Sequence, residues 1–90
     1  MAIGKGPSQE EKIKQIISFM DVLVNDVSIP KNVRKSVGDA REKLLSNDEI
    51  IVKTSGAVYA LEEVSNDINM PAHARTQVWT IVSALESIRG

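Results

Sequence analysis

The chain has no cysteine among its 90 residues. Disulfides, thiolate metal sites and a cysteine nucleophile are therefore excluded. Aromatic side chains are nearly as scarce, with Phe19, Tyr59 and Trp79 the full set. Ile, Val, Leu, Ala and Met must do the packing. No apolar run approaches the roughly 18 residues of a membrane span. Met1–Pro7 lacks the apolar stretch of a secretory signal. The net charge of −1 provides no overall field toward nucleic acid or anionic lipid. These absences point to a soluble, cytoplasmic protein without a membrane partner.

Four amphipathic segments remain, enough for one all-α domain of this length. Residues 1–7 read as a flexible tail, with two glycines, a lysine and a proline. Residues 8–90 read as the domain. Ser8 and Glu11 have capping-box spacing. Ile13, Ile16, Ile17, Met20, Leu23, Val24 and Val27 then recur at steps of three and four, one helical face. Val33, Val37, Ala40 and Leu44 form a narrower second stripe. Ser46 and Glu49 repeat the capping-box spacing. Ile50, Thr54, Ala57, Leu61, Val64 and Ile68 mark a third helix, in which Gly56 is a local weakness of about 1 kcal/mol against alanine. Ala74, Val78, Ile81, Leu85 and Ile88 mark a fourth.

The sequence matches itself at a shift of 41 positions, Asn25 falling on Asn66. Asn25, Asp26, Pro30 and Arg34 fall on Asn66, Asp67, Pro71 and Arg75. The period is that of a helix–turn–helix unit, and two copies are too few for a solenoid. The reading is a four-helix bundle made of two repeated αα-hairpins, about 9–46 and 47–89. The shared residues are expected to build the two turns. Arg34 and Arg75 should brace them through backbone hydrogen bonds and ion pairs with Asp21/Glu62 or Asp26/Asp67. Ser28 and Asn69 are suitable N-caps; alternatively Ile29 and Met70 cap and proline takes the first helical position. Val27/Ile29 and Ile68/Met70 are expected to be buried by the turns.

With these turns, each N-D-hydrophobic-x-hydrophobic-P followed by arginine, and with the Arg75–Trp79 segment R-T-Q-V-W, the chain resembles the small archaeal uncharacterised family 0147 of the UPF series. The resemblance spans roughly residues 9–89. It implies a helical bundle from the archaeal cytoplasm and brings no activity or catalytic residue.

Chemistry-bearing patterns are sparse. The single histidine, His73, has no neighbouring motif that supplies an orienting group or a nucleophile. Glu62 and Glu63 lack the histidine three residues on that a di-iron bundle uses, and no zinc or calcium spacing occurs. Gly4-Lys5-Gly6 lacks the context of a P-loop. No cofactor is expected, and the protein reads as non-catalytic. Two surfaces stand out. Lys31, Arg34, Lys35 and Arg41 form a basic face on the second helix, a candidate for phosphate contacts in a nucleic-acid accessory protein. Arg75, Trp79 and Val82 share a flank of the fourth helix, where the second has Gly38 and Arg41. That flank is the candidate protein–protein patch, and a second copy of the chain is a candidate partner. The plainer alternative is that Trp79 fills the bundle edge.

Overall fold

The computed structural model describes residues 8–88. The expected tail over Met1–Pro7 and the chain end at Gly90 lie outside them. Four helices account for the regular structure: α1 Gln9–Val24, α2 Lys31–Leu44, α3 Ile50–Ser65 and α4 Ala72–Glu86. No strand occurs among the described residues. Each helix packs on its neighbours in sequence and α1 closes on α4, so the four meet in a ring around one core.

The core is the seam that periodicity marks. Met20, Leu23, Val37, Ala40, Ala57, Leu61, Ala74 and Val78 are fully buried, one pair from each helix. A large side chain removed from water in this way stabilises by about 1.5–3 kcal/mol. Thr54 is also buried and resolves its hydroxyl within α3, donating to Ile50 O at 2.8 Å. The α2–α3 contact is the most extensive. Gly56 lies in it: a Cβ there would stand 2.8 Å from Cδ of Lys43, so the glycine lets the lysine stem lie across α3.

The capping box at Ser8 forms in full. Ser8 Oγ accepts from Glu11 N at 3.2 Å, and Glu11 Oε1 accepts from Ser8 N at 3.1 Å. The one expected at Ser46 and Glu49 does not. Helix α3 starts at Ile50 with Glu49 as its N-cap and no side-chain cap. Ser46 instead binds Asp48, its Oγ accepting from Asp48 N and donating to Oδ2. Neither capping option for α2 and α4 holds either. The N-caps are Pro30 and Pro71 themselves, with φ −54° and −60° and extended ψ, each outside its helix. Their carbonyls accept from Arg34 N and Arg75 N at 3.0 Å. Ser28 and Asn69 belong to the turns.

Val27 and Ile68 are the clearest departures from expectation. They are 86% and 89% exposed, while Ile29 and Met70 are buried. The helices end at Val24 and Ser65, so the 3.6-residue period no longer applies at 27 and 68.

Candidate functional site

The residues shared by the two turns each have a job. Asn25 Nδ2 donates to Asp21 O at 2.8 Å and Asn66 Nδ2 to Glu62 O at 3.4 Å, each a further bond to a last-turn carbonyl that already accepts from Asn25 N or the Ser65 hydroxyl. Asp26 Oδ1 accepts from Ser28 N, and Asp67 Oδ1 from Asn69 N, each at 2.9 Å. These are Asx turns, in which a carboxylate replaces a backbone carbonyl. The Asp26 carboxyl is held below its usual range by the Ser28 hydroxyl, then by the Ser28 amide, against an opposing desolvation, with His73 and Arg34 adding less. Asp67 is held down by the Asn69 amide, then by the Asn32 side chain, with Arg75 adding.

The arginines brace the turns through backbone carbonyls. Arg34 Nε donates to Ile29 O at 3.0 Å. Arg75 spans two acceptors, Nη1 to Ser65 O at 3.1 Å and Nη2 to Asp67 O at 3.3 Å. The ion pairs expected with Asp21 or Asp26 and their counterparts do not form. Asp21 pairs with Arg41, whose Nε lies against Oδ1 as a charge contact outside hydrogen-bond geometry.

The two turns lie at the same end of the bundle and touch. Asn32 Nδ2 donates to Asp67 Oδ2. Ser28 Oγ donates to Asp26 Oδ1 at 2.7 Å and lies 3.3 Å from His73 Nε2. With the hydroxyl proton donated to Asp26, Oγ accepts from an Nε2–H. The proton order is His73 to Ser28 to Asp26. An activated serine needs the reverse, with imidazole taking the hydroxyl proton and a carboxylate behind the imidazole. This cluster therefore resembles a hydrolase triad in composition and not in wiring. Sequence reasoning missed it, because 45 residues separate its two halves.

The other two candidate sites are rearranged. On α4, Trp79 is 46% exposed and Arg75 partly so, but Val82 is 1% exposed. Val82 faces the core with Val78, four residues earlier. Trp79 and Arg75 instead line a shallow surface with Thr76, Thr80 and Ser83. On α2, the basic side chains are largely spoken for: Lys35 pairs with Asp39 at 3.3 Å, Arg41 with Asp21, and Arg34 with a carbonyl. Lys31, Arg34, Lys35, Asp39 and Glu42 line a common groove beside Gly38, which mixes both signs of charge. Among the described residues no group of three or more His, Asp or Glu is placed to hold a metal ion. No helix there is long and apolar enough to cross a membrane.

Fold and surface define a small all-α protein in which the polar residues shared by the two turns bond within those turns. The chain belongs to the uncharacterised protein family UPF0147, whose model matches residues 3–88. It is 40% identical to the UPF0147 protein of Methanocaldococcus jannaschii, over 99% of this chain and 100% of that one. With the UPF0147 protein of Sulfurisphaera tokodaii it shares 41% identity over 89% of this chain and 91% of the relative. Two crystal structures share the architecture. The protein of unknown function MMP1188 superposes with a TM-score of 0.92 at 39% identity, covering 97% of this chain and 100% of its own. A UPF0147 protein from Thermoplasma acidophilum gives 0.85 at 34% identity, covering 90% and 96%.

Proposed function

We propose that this is a non-catalytic cytoplasmic interaction module, built from two copies of one αα-hairpin, that self-associates through the α4 flank carrying Trp79 and Arg75. The repeat reading is supported by the matching hydrogen bonds of Asn25 and Asn66 and of Asp26 and Asp67. The interaction reading rests on one observation. Trp79 is the chain's only tryptophan and stays 46% exposed on a helix, while the matched position in α2 is Gly38. Tryptophan at an exposed site is costly to solubility and strongly enriched among residues that dominate interfaces. The alternative, nucleic-acid binding by α2, has less support because Lys35, Arg34 and Arg41 already have partners within the chain.

Light scattering over a concentration series tests the proposal. The expected result is a mass that rises with concentration for the wild type and stays monomeric for Trp79→Ala. A wild type that remains monomeric at high concentration overturns the self-association reading. So does a dimer that Trp79→Ala leaves equally tight.

A further inference from the structure

The two hairpins provide an internal control for which exposed apolar residues the architecture requires. On α3, Ile51 and Tyr59 are 51% and 66% exposed. The residues 41 positions earlier on α1 are Glu10 and Ser18. The counterpart of Trp79 is Gly38, where an added Cβ would meet nothing within 4 Å. The first hairpin thus packs with polar or absent side chains at all three positions. The second carries apolar ones there, whereas the exposed Val22 of the first hairpin is matched by Glu63 in the second.

Ile51 and Tyr59 lie on the face shared by α3 and α4, and Trp79 on the flank of α4 that carries Arg75. Ile51 and Tyr59 line a groove with Leu85 and Glu86 of α4. Arg75, one turn from Trp79 on the same flank, reaches Ser65 O at the end of α3, so this flank of α4 turns toward α3. The α3/α4 groove and the Trp79 flank thus carry aromatic or aliphatic side chains where the first hairpin has Glu10, Ser18 and Gly38.

We propose that the α3/α4 face binds a second copy of this chain, with the helices of the two copies antiparallel and Ser55 of each at the twofold axis. This rests on the reading of the α4 flank above and names its occupant and register. The pattern on α3 is self-complementary. Ile51 and Tyr59 stand four residues either side of Ser55, so an antiparallel crossing at Ser55 sets each Ile51 against Tyr59 of the other copy. Ser55 is small and exposed, which lets the two helices approach closely. Charge on α4 is self-complementary in the same sense. Arg75 and Glu86 are eleven residues apart (75 to 86), about three helical turns, and so share a flank with Trp79 between them. Antiparallel pairing brings Arg75 of each copy toward Glu86 of the other, twice. Arg75 uses two N–H groups on its own turn and keeps others for that contact. Asp48 and Glu62, at opposite ends of the α3 face, meet as like charges only at the solvated rim, where salt screens them. The twofold closes the assembly at a dimer and leaves no repeating contact for fibre growth.

The absence of cysteine makes the register directly testable. Ser55→Cys places a lone thiol at the axis; Lys14→Cys places one at the matched position of the first hairpin, also exposed. Each variant is first checked for helicity and for reactivity with a small-molecule disulfide. Mild oxidation follows at a concentration where light scattering shows the wild-type dimer. Ser55→Cys is expected to form disulfide-linked dimers at least about tenfold faster than Lys14→Cys after correction for that reactivity. A mixture of Ile51→Cys and Tyr59→Cys chains should cross-link to each other in preference to themselves. Equal rates for Ser55→Cys and Lys14→Cys overturn the proposed face and register, even where Trp79→Ala still breaks the dimer and the flank reading stands. A wild type that never dimerises removes both.

Discussion

Asn32 at the start of α2 donates its side-chain amide to the carboxylate of Asp67 in the second turn, 35 residues away. The residue 41 positions after Asn32 is His73, and it reaches the first turn in return, where Ser28 relays it to Asp26. Each turn is thus held by its own backbone and by one side chain from the other hairpin. The two ties differ in chemistry, an amide on one side and an imidazole with a hydroxyl on the other.

Removing the amide tests the first tie. Asn32→Ala should raise the Asp67 carboxyl toward its ordinary range and leave Asp26 where it is, as followed by carboxyl NMR titration. The Asn32 side chain is a named cause of the lowered Asp67 value and plays no part in that of Asp26. Equal movement of both, or of neither, would contradict the geometry.

Acid sensitivity follows from the same carboxylates. Both folded-state values lie below the ordinary 3.8. Between the folded and unfolded values the unfolded chain binds more protons, so stability falls as pH drops through about 4 and levels off below the folded values. The contribution is fully present at neutral pH. Thermal unfolding across this range should show that decline. In Asp26→Asn/Asp67→Asn, which has less to lose on protonation, the decline should be shallower.

The turn plugs can be told apart from the turn tips. Ile29→Ala and Met70→Ala should each cost about 2–5 kcal/mol, the range for emptying a buried aliphatic site. Val27→Ser and Ile68→Ser should stay within about 0.5 kcal/mol of wild type, as exposed substitutions do. Denaturant unfolding of the four variants would reverse this assignment if the costs were interchanged.

Glycines in two helices are expected to respond differently. Gly38→Ala puts a methyl into open space and should stabilise by about 0.5–1 kcal/mol. Gly56→Ala should gain less, because the new Cβ displaces the Lys43 stem before any benefit appears. Denaturation midpoints at constant slope would order the two variants.

The helices and most of the core were legible because Ile13, Ile16, Met20 and Leu23, and their counterparts in the other helices, keep an unbroken helical period. Ser8 and Glu11 were legible for the same local reason. What failed lay where the period stops applying. Val27 and Ile68 continue it on paper, but the chain has already left the helix. Pro30 and Pro71 cap from outside, a one-residue difference that residue preference does not resolve. Ser46 prefers Asp48, two residues on, to an amide three residues on. Val82 was placed with Trp79 by a spacing of three, while its spacing of four from Val78 carried the packing. The His73–Ser28–Asp26 contact joins residues from separate hairpins, and no local pattern announces it.

The closeness of the two turns has a consequence for the order of the chain. With both turns at one end, the starts of α1 and α3 and the ends of α2 and α4 gather at the other. Residues 45–49 bridge one gap there, and a linker from residue 88 to residue 8 would bridge its counterpart, where α1 packs on α4. A chain joined in that way and opened within 45–49 would present the same ring of helices with its halves exchanged. Which hairpin comes first would then be set by where the chain is opened, while the packing of the four helices on one another is kept.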